Sequence, residues 1–207
     1  MTRSHFSVTA DPNLDAVVDT LTRAFWDDPV VSWAFPHDAG QREQLMDGFF
    51  RVTTELLLAH GGLVGATSGH EAVLVWSPPG TPDLSEADNA RYLSELAGAT
   101  GRCAARAVTL METLDAHYPS ALPPHVHVMF AAARPEARSW GAGVLLVRAL
   151  IRQRSEPGLG LYAEASSPDN LSLWQEMGAR RIGAEIALPG DGPSLYPIWR
   201  ESVSVGD

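Results

Sequence analysis

Lysine is absent from this chain, and its fifteen basic residues are all arginine. With alanine, glycine and proline abundant, that bias reads as the codon usage of a GC-rich genome and not as a functional signal. The formal net charge is −10. An acidic chain without a basic stripe does not suit a phosphate backbone, so nucleic acid is not an expected partner. The balance is compatible with a cationic substrate.

Cysteine is nearly absent too. Cys103 stands alone, so no intrachain disulfide forms. Its flanks, GRCAAR, fit a buried thiol in a helical segment. No ligand cluster is visible either. His125 and His127 alternate onto one strand face with no third ligand near in sequence, whereas a zinc site wants three or four. No metal is therefore expected. No apolar run approaches the ~20 residues of a bilayer span, and the first ten residues, MTRSHFSVTA, lack a signal-peptide core. The expectation is a cytoplasmic protein with no membrane partner, as a monomer or a homodimer.

What is present suits one packed domain over residues 1–207. Of the 207 residues, 45% are apolar and 19% charged, enough for a core and too few charges for disorder. Residues 6–10 read as a strand. Asp11-Pro12 reads as a cap and first-turn proline, followed by Leu14, Val17, Val18, Leu21 and Phe25 at helical spacing. Asp28-Pro29 repeats the signal before a short helix with Val31, Trp33 and Phe35. A third helix runs from Gln41 to Ala59. Strands are expected at Leu63–Thr67 and Ala72–Trp76, then helix over 84–118, single or broken near Gly98 or Gly101. Strand His125–Ala133, helix Gly141–Arg154, strand Gly160–Ser166, helix Asn170–Met177 and strands Arg181–Ala187 and Leu195–Arg200 complete the order. Strand–helix–strand alternation after the hairpin predicts an α/β (α+β) sheet with at least one parallel crossover.

The chemistry concentrates at HVHVMFAAARPEARSWGAGVLLVRALI, residues 125–151. A strand ends at Pro135, and Arg138-Ser139-Trp140-Gly141-Ala142-Gly143 opens an apolar helix at Val144. Glycine lets backbone approach a ligand. A helix start offers unpaired N–H groups and a positive dipole end, so the segment suits a pyrophosphate. No Gly-Lys-Ser/Thr follows, which excludes a Walker loop, and the spacing is not that of a dinucleotide fold.

RSWGAG resembles the Q/R-x-x-G-x-G/A signature of the GNAT superfamily of N-acetyltransferases. AEASSPDNLSLWQEMGAR (163–180) is similar to that family's L-E-A-S-x-x-x-N-x-x-L-Y-x-x-x-G-F, with Asn170, Leu173 and Gly178 in register. AFWDDPVVSWAFP (24–36), AVLVWSPPG (72–80) and LYPIWR (195–200) resemble a bacterial branch of it. The resemblance implies a central mixed twisted sheet whose fourth and fifth strands splay apart, with helices on both faces. It implies acetyl-CoA as acyl donor and a small-molecule amine as acceptor, with a CoA-binding core at about 125–180 and acceptor-side helices at about 11–60 and 84–118. It assigns CoA contacts to Ala131, Ala132 and Ala133, to Arg138 through Val144, and to Asn170 and Trp174. Trp174 stands where many relatives have a tyrosine that protonates the departing thiolate, and an indole N–H is no acid at neutral pH.

Acetyl transfer needs a neutral amine and so a proton acceptor. Histidine as a residue type suits that task near neutral pH, and His127 matches the strand height of basic residues in relatives; it also reads as a half-exposed strand histidine. Glu164 matches the glutamate of L-E-A-S, which orients water in some relatives; it also reads as a hydrogen-bonded structural carboxylate. Asp28 suits an ammonium ligand or the helix cap already described, and Trp33 a pocket wall or core. A non-catalytic acyl-CoA-binding module and a protein or peptide acetyltransferase are the competing readings.

Overall fold

The computed structural model describes residues 6–138, 141–153 and 159–201. Eight strands form one mixed sheet in the order β1-β2-β3-β4-β5-β8-β6, with β7 beside β8. They are β1 (Phe6–Thr9), β2 (Leu63–Thr67), β3 (Ala72–Ser77), β4 (His125–Ala133), β5 (Gly160–Ala165), β6 (Arg180–Arg181), β7 (Ile186–Ala187) and β8 (Ser194–Arg200). The β4–β5 pair is parallel and the other pairs are antiparallel.

Among the described residues eight α-helices flank it: α1 (Leu14–Ala24), α2 (Pro29–Ala34), α3 (Arg42–Ala59), α4 (Glu86–Thr100), α5 (Ala104–Ala116), α6 (Pro135–Arg138), α7 (Ala142–Gln153) and α8 (Pro168–Glu176). One face of the sheet meets α1 to α5, where Val17, Leu21, Phe49, Phe50, Leu96 and Leu110 pack on Val73, Val75 and Phe130. The other face meets α7 and α8, where Val147, Leu150 and Trp174 pack on Leu74, Val128, Leu161 and Ala163. Helices thus cover both faces. Cys103 is buried, as its flanks suggest.

Several boundaries differ from the sequence reading. Asp11 does not cap the first helix. Its N–H turns back to Thr9 Oγ1, and Asn13 caps instead, accepting from the Ala16 N–H at 3.2 Å. The 84–118 helix is broken at Gly101, one of the two positions the sequence offered, where φ is a left-handed 51°; Gly98 stays inside α4. Pro135 opens the one-turn helix α6, so α7 begins at Ala142. The strand expected over Arg181–Ala187 is two two-residue pairings, because the chain turns at Gly183 between them.

Asp28 caps α2 as its proline signal suggests, accepting from the N–H groups of Val30 and Val31. Buried Arg42 secures the same segment by donating to the carbonyls of Phe35 and Trp26. This ties the 26–35 segment to the start of α3.

Candidate active site

Two irregularities in β4 create the site. Pairing with β3 runs Leu74–Ala131, Val75–Phe130, then Trp76–Val128, so Met129 is an extra residue in a β-bulge. The bulge exchanges faces. Val126 and Val128 point to the α7 side, whereas Phe130 and Ala132 point to the α3 side. The second irregularity is the parallel pairing with β5, which covers only His125–Gly160, Val126–Leu161 and His127–Tyr162. Past that point β4 still pairs with β3, and β5 with β8, but not with each other. The strands therefore splay, and their facing backbone groups are open to another hydrogen-bonding chain.

At the crotch of the splay stand the two candidate proton acceptors. His127 Nε2 lies 3.3 Å from Glu164 Oε2. Both side chains are largely buried, 18% and 7% exposed, so the pair is shielded from bulk water. Since a carboxylate only accepts, the ring donates from Nε2, and in its neutral form the lone pair is on Nδ1.

Tyr118 and Tyr162, which sequence reasoning left out, and His125, which it weighed only as a metal ligand, complete the surroundings. The rings of Tyr118 and Tyr162 pack on His127 at 5.0 and 5.3 Å. His125 Nδ1 lies 2.7 Å from the Pro123 carbonyl, which fixes the proton on that nitrogen. Tyr118 then donates to His125 Nε2 at 2.6 Å. Burial holds the His125 pKa below its ordinary value, against the Pro123 carbonyl and with help from neighbouring His127. Burial, then the charges of Glu164 and Asp83, push the Tyr118 phenol up to about 12. Tyr162 shares a β5 face with Glu164, a period-2 signal present in the sequence. Tyr118 had no such signal, because only the fold-back of α5 onto β4 brings it here.

Two cavities meet at this pair. A groove of about 800 Å³ opens beside it, walled by α5 and the 77–84 segment. A narrow cleft of about 90 Å³ runs into the splay past Ala131, Ser166, Asn170 and Trp174. Met111, Leu114, Met129 and Glu164 line both. Asp28 lies on the cleft, where Ser166 Oγ donates to its Oδ2 at 2.5 Å. Burial raises the Asp28 pKa, while the Ser166, Val31 and Val30 donors and the Arg138 charge oppose the shift. Trp33 lines neither cavity and packs instead under Arg106, whose guanidinium is 5.6 Å from the ring.

The helix start beyond β4 carries the remaining expected contacts. Gly141 takes a left-handed φ of 74°, and its N–H is spent on the Arg138 carbonyl. It therefore shapes the turn, while the next amides, 142–144, sit in the first turn of α7 with no partner behind them in the helix. A Cβ on Gly143 would lie 3.5 Å from Ala133 Cβ, so the helix start closely approaches the strand end. Arg138 is exposed but tethered, donating to the Ala24 carbonyl at 2.6 Å. Ala132 points to the buried α3 side; Ala131 and Ala133 face the α7 side. Ser139 and Trp140 lie outside the described residues. Among those residues, no group of three or more His, Cys, Asp or Glu side chains is disposed to hold a metal ion, and no helix is long and apolar enough to cross a membrane.

Neither a family model nor a curated protein matches the sequence. Solved structures do match the fold. A structure described as histone acetyltransferase HPA2 and related acetyltransferase from Corynebacterium glutamicum is 23% identical, with 99% of this chain and 100% of that one covered at a TM-score of 0.64. A Drosophila melanogaster polyamine N-acetyltransferase that forms N-acetylagmatine is 14% identical, with 95% and 100% covered at 0.56. An acetyltransferase assigned to the GNAT family from Desulfovibrio desulfuricans is 10% identical, with 97% and 100% covered at 0.52. The chain has the GNAT fold. Within that fold the end of the β4–β5 pairing, the bulge and the α7 start follow one another along the chain from β4, and Glu164 lines both cleft and groove.

Proposed function

We propose that this protein is an acetyl-CoA-dependent N-acetyltransferase that acts on a small-molecule amine by direct attack in a ternary complex. The observation that carries this reading is the meeting of two cavities at the His127–Glu164 pair: a narrow one suited to an extended thioester arm and a wide one suited to an acceptor. The neighbouring folds named as acetyltransferases, one of them a polyamine N-acetyltransferase, support it.

Acetyl-CoA supplies an activated acetyl thioester. The residues present fit such a donor: open strand edges, the small side chains of Ala131 and Ala133, and the first-turn amides of α7 facing a chain turn free of side-chain bulk at Gly141 and Gly143. The acceptor amine reaches the thioester carbonyl from the groove. Its nitrogen forms the new C–N bond, its proton passes to the His127–Glu164 pair, and the C–S electron pair leaves on sulfur. The pair orients the amine, accepts its proton and excludes water. Trp174 lines the cleft where the thiolate departs and supplies no acidic proton. A thiolate needs less help than an alkoxide, since its conjugate acid has a pKa near 8.5, so turnover survives without that acid.

The test is a pair of measurements. Acetyl-CoA at a hundredfold excess over its Kd should raise stability by about 2.7 kcal/mol, read in thermal melts. Free-thiol release across an amine library should identify acceptors. No melting shift at millimolar donor removes donor binding. A shift with no thiol release leaves a binding module, and release with peptides alone points to a protein-modifying enzyme.

A further inference from the structure

The acceptor groove is lined by carboxylates. Glu164 stands where it joins the cleft, and Asp83, Glu112 and Asp115 line the groove alone. Glu112 and Asp115 are three apart on α5, hence on one side of that helix. Asp83 lies on the facing wall, close enough to Tyr118 for its charge to act on the phenol. No arginine lines the groove among the described residues, and the chain has no lysine.

These carboxylates are also uncommitted. Asp15, Asp19 and Asp88 each hold an arginine. Asp83, Glu112 and Asp115 have no ion pair or side-chain hydrogen bond among the described residues. A second, independent feature points to a polar ligand beside Glu164. The Tyr162 hydroxyl is fully buried without a hydrogen-bond partner. Its ring packs against His125, His127 and Tyr118, all on the groove wall, and its hydroxyl feels the Glu164 charge. A buried, unpaired hydroxyl is costly unless something fills its valence.

We propose that the groove takes an acceptor with two positive charges, a diamine or polyamine, whose reacting amine meets His127 and Glu164, in front of the buried Tyr162 hydroxyl, while its second ammonium sits among Asp83, Glu112 and Asp115. This rests on the acetyl-transfer reading above and names the substrate class. The ring of Tyr118, which lines the same groove, offers its face to the cation or the methylene chain. A monoamine meets Glu164 and leaves the other carboxylates unanswered. Two exposed charge contacts favour the dication by roughly tenfold, and salt weakens that preference.

The experiment is calorimetric titration of the full chain with α,ω-diamines of three to eight carbons and with the monoamine of each length. At least one diamine should bind about tenfold more tightly than its matched monoamine at low salt. That margin should collapse in Glu112→Gln/Asp115→Asn, checked for an unchanged melting temperature, and shrink in Asp83→Asn. Equal binding of diamines and monoamines, or a margin intact in both variants, overturns the proposal. Thiol release measured in parallel separates the two readings. Diamine-selective binding without acetylation of any amine refutes the transferase and keeps the dication site. Acetylation of monoamines with no diamine preference does the reverse.

Discussion

Glu164 Oε2 stands 3.3 Å from His127 Nε2 across 37 residues of chain, because the last rung of the parallel β4–β5 ladder sets His127 opposite Tyr162, two residues before Glu164 on the same face. A pair joined in this way should act as one unit. His127→Ala and Glu164→Gln should each lower kcat/KM by about 10²–10⁴-fold, and the double variant should lose far less than the product of the two. Single-variant rates within threefold of the parent on an accepted amine would remove the pair from the proton path.

The α7 start can be tested without breaking the fold. Gly141 has a left-handed φ of 74°, so any side chain there strains the backbone, and lost CoA binding in Gly141→Ala would be ambiguous. At Gly143 a Cβ would make only an ordinary contact with Ala133 Cβ, at 3.5 Å. Gly143→Ala should therefore melt normally yet bind CoA more weakly, by tenfold or so if a methyl group costs about 1.4 kcal/mol of pyrophosphate approach. Unchanged CoA affinity in calorimetry would mean that the segment is only a turn.

Much of the fold was legible because its signals are local. Alternating burial defined β4 to the residue, and proline after aspartate fixed α2. Asp11-Pro12 gave the same signal and misled, since Asn13 lay closer to the apolar stripe and Thr9 took the Asp11 N–H. In the site, His127 and Glu164 were readable as strand residues of suitable chemistry, but their contact was not. The bulge at Met129 and the end of the β4–β5 ladder depend on tertiary packing and leave no pattern along the chain. Trp33, readable as pocket or core, packs under Arg106 away from both cavities.

Trp174 is 4% exposed and packs with Val147, Leu150 and Ala163 while it lines the cleft. Trp174→Tyr would offer a phenolic proton at the leaving sulfur. General acid help is worth about 10²–10⁴-fold at most, so kcat should rise, while the smaller ring should lower the melting temperature through lost packing. A kcat unchanged across substrates, with the fold intact, would show that loss of the thiolate does not limit turnover.

Asp28 should make stability depend on pH in the direction opposite to most carboxylates. Its folded pKa lies above the ordinary 3.8, chiefly because burial penalises the charge more than Ser166, Val31, Val30 and Arg138 favour it. A raised carboxyl binds its proton more tightly when folded. Its contribution is therefore fully present below 3.8 and is lost as pH rises through the folded value. Asp28→Asn keeps an oxygen that can accept from the Val30 and Val31 N–H groups, since asparagine also caps helices, but it cannot ionise. Denaturant melts of both proteins between pH 3.5 and 7 would isolate the term, because other titrating groups cancel in the difference. The variant should gain stability relative to the parent as pH rises through this window. A difference that stays flat, or grows in the parent's favour towards pH 7, would mean that the Ser166 bond and the α2 amides outweigh burial and hold Asp28 as a stabilised anion.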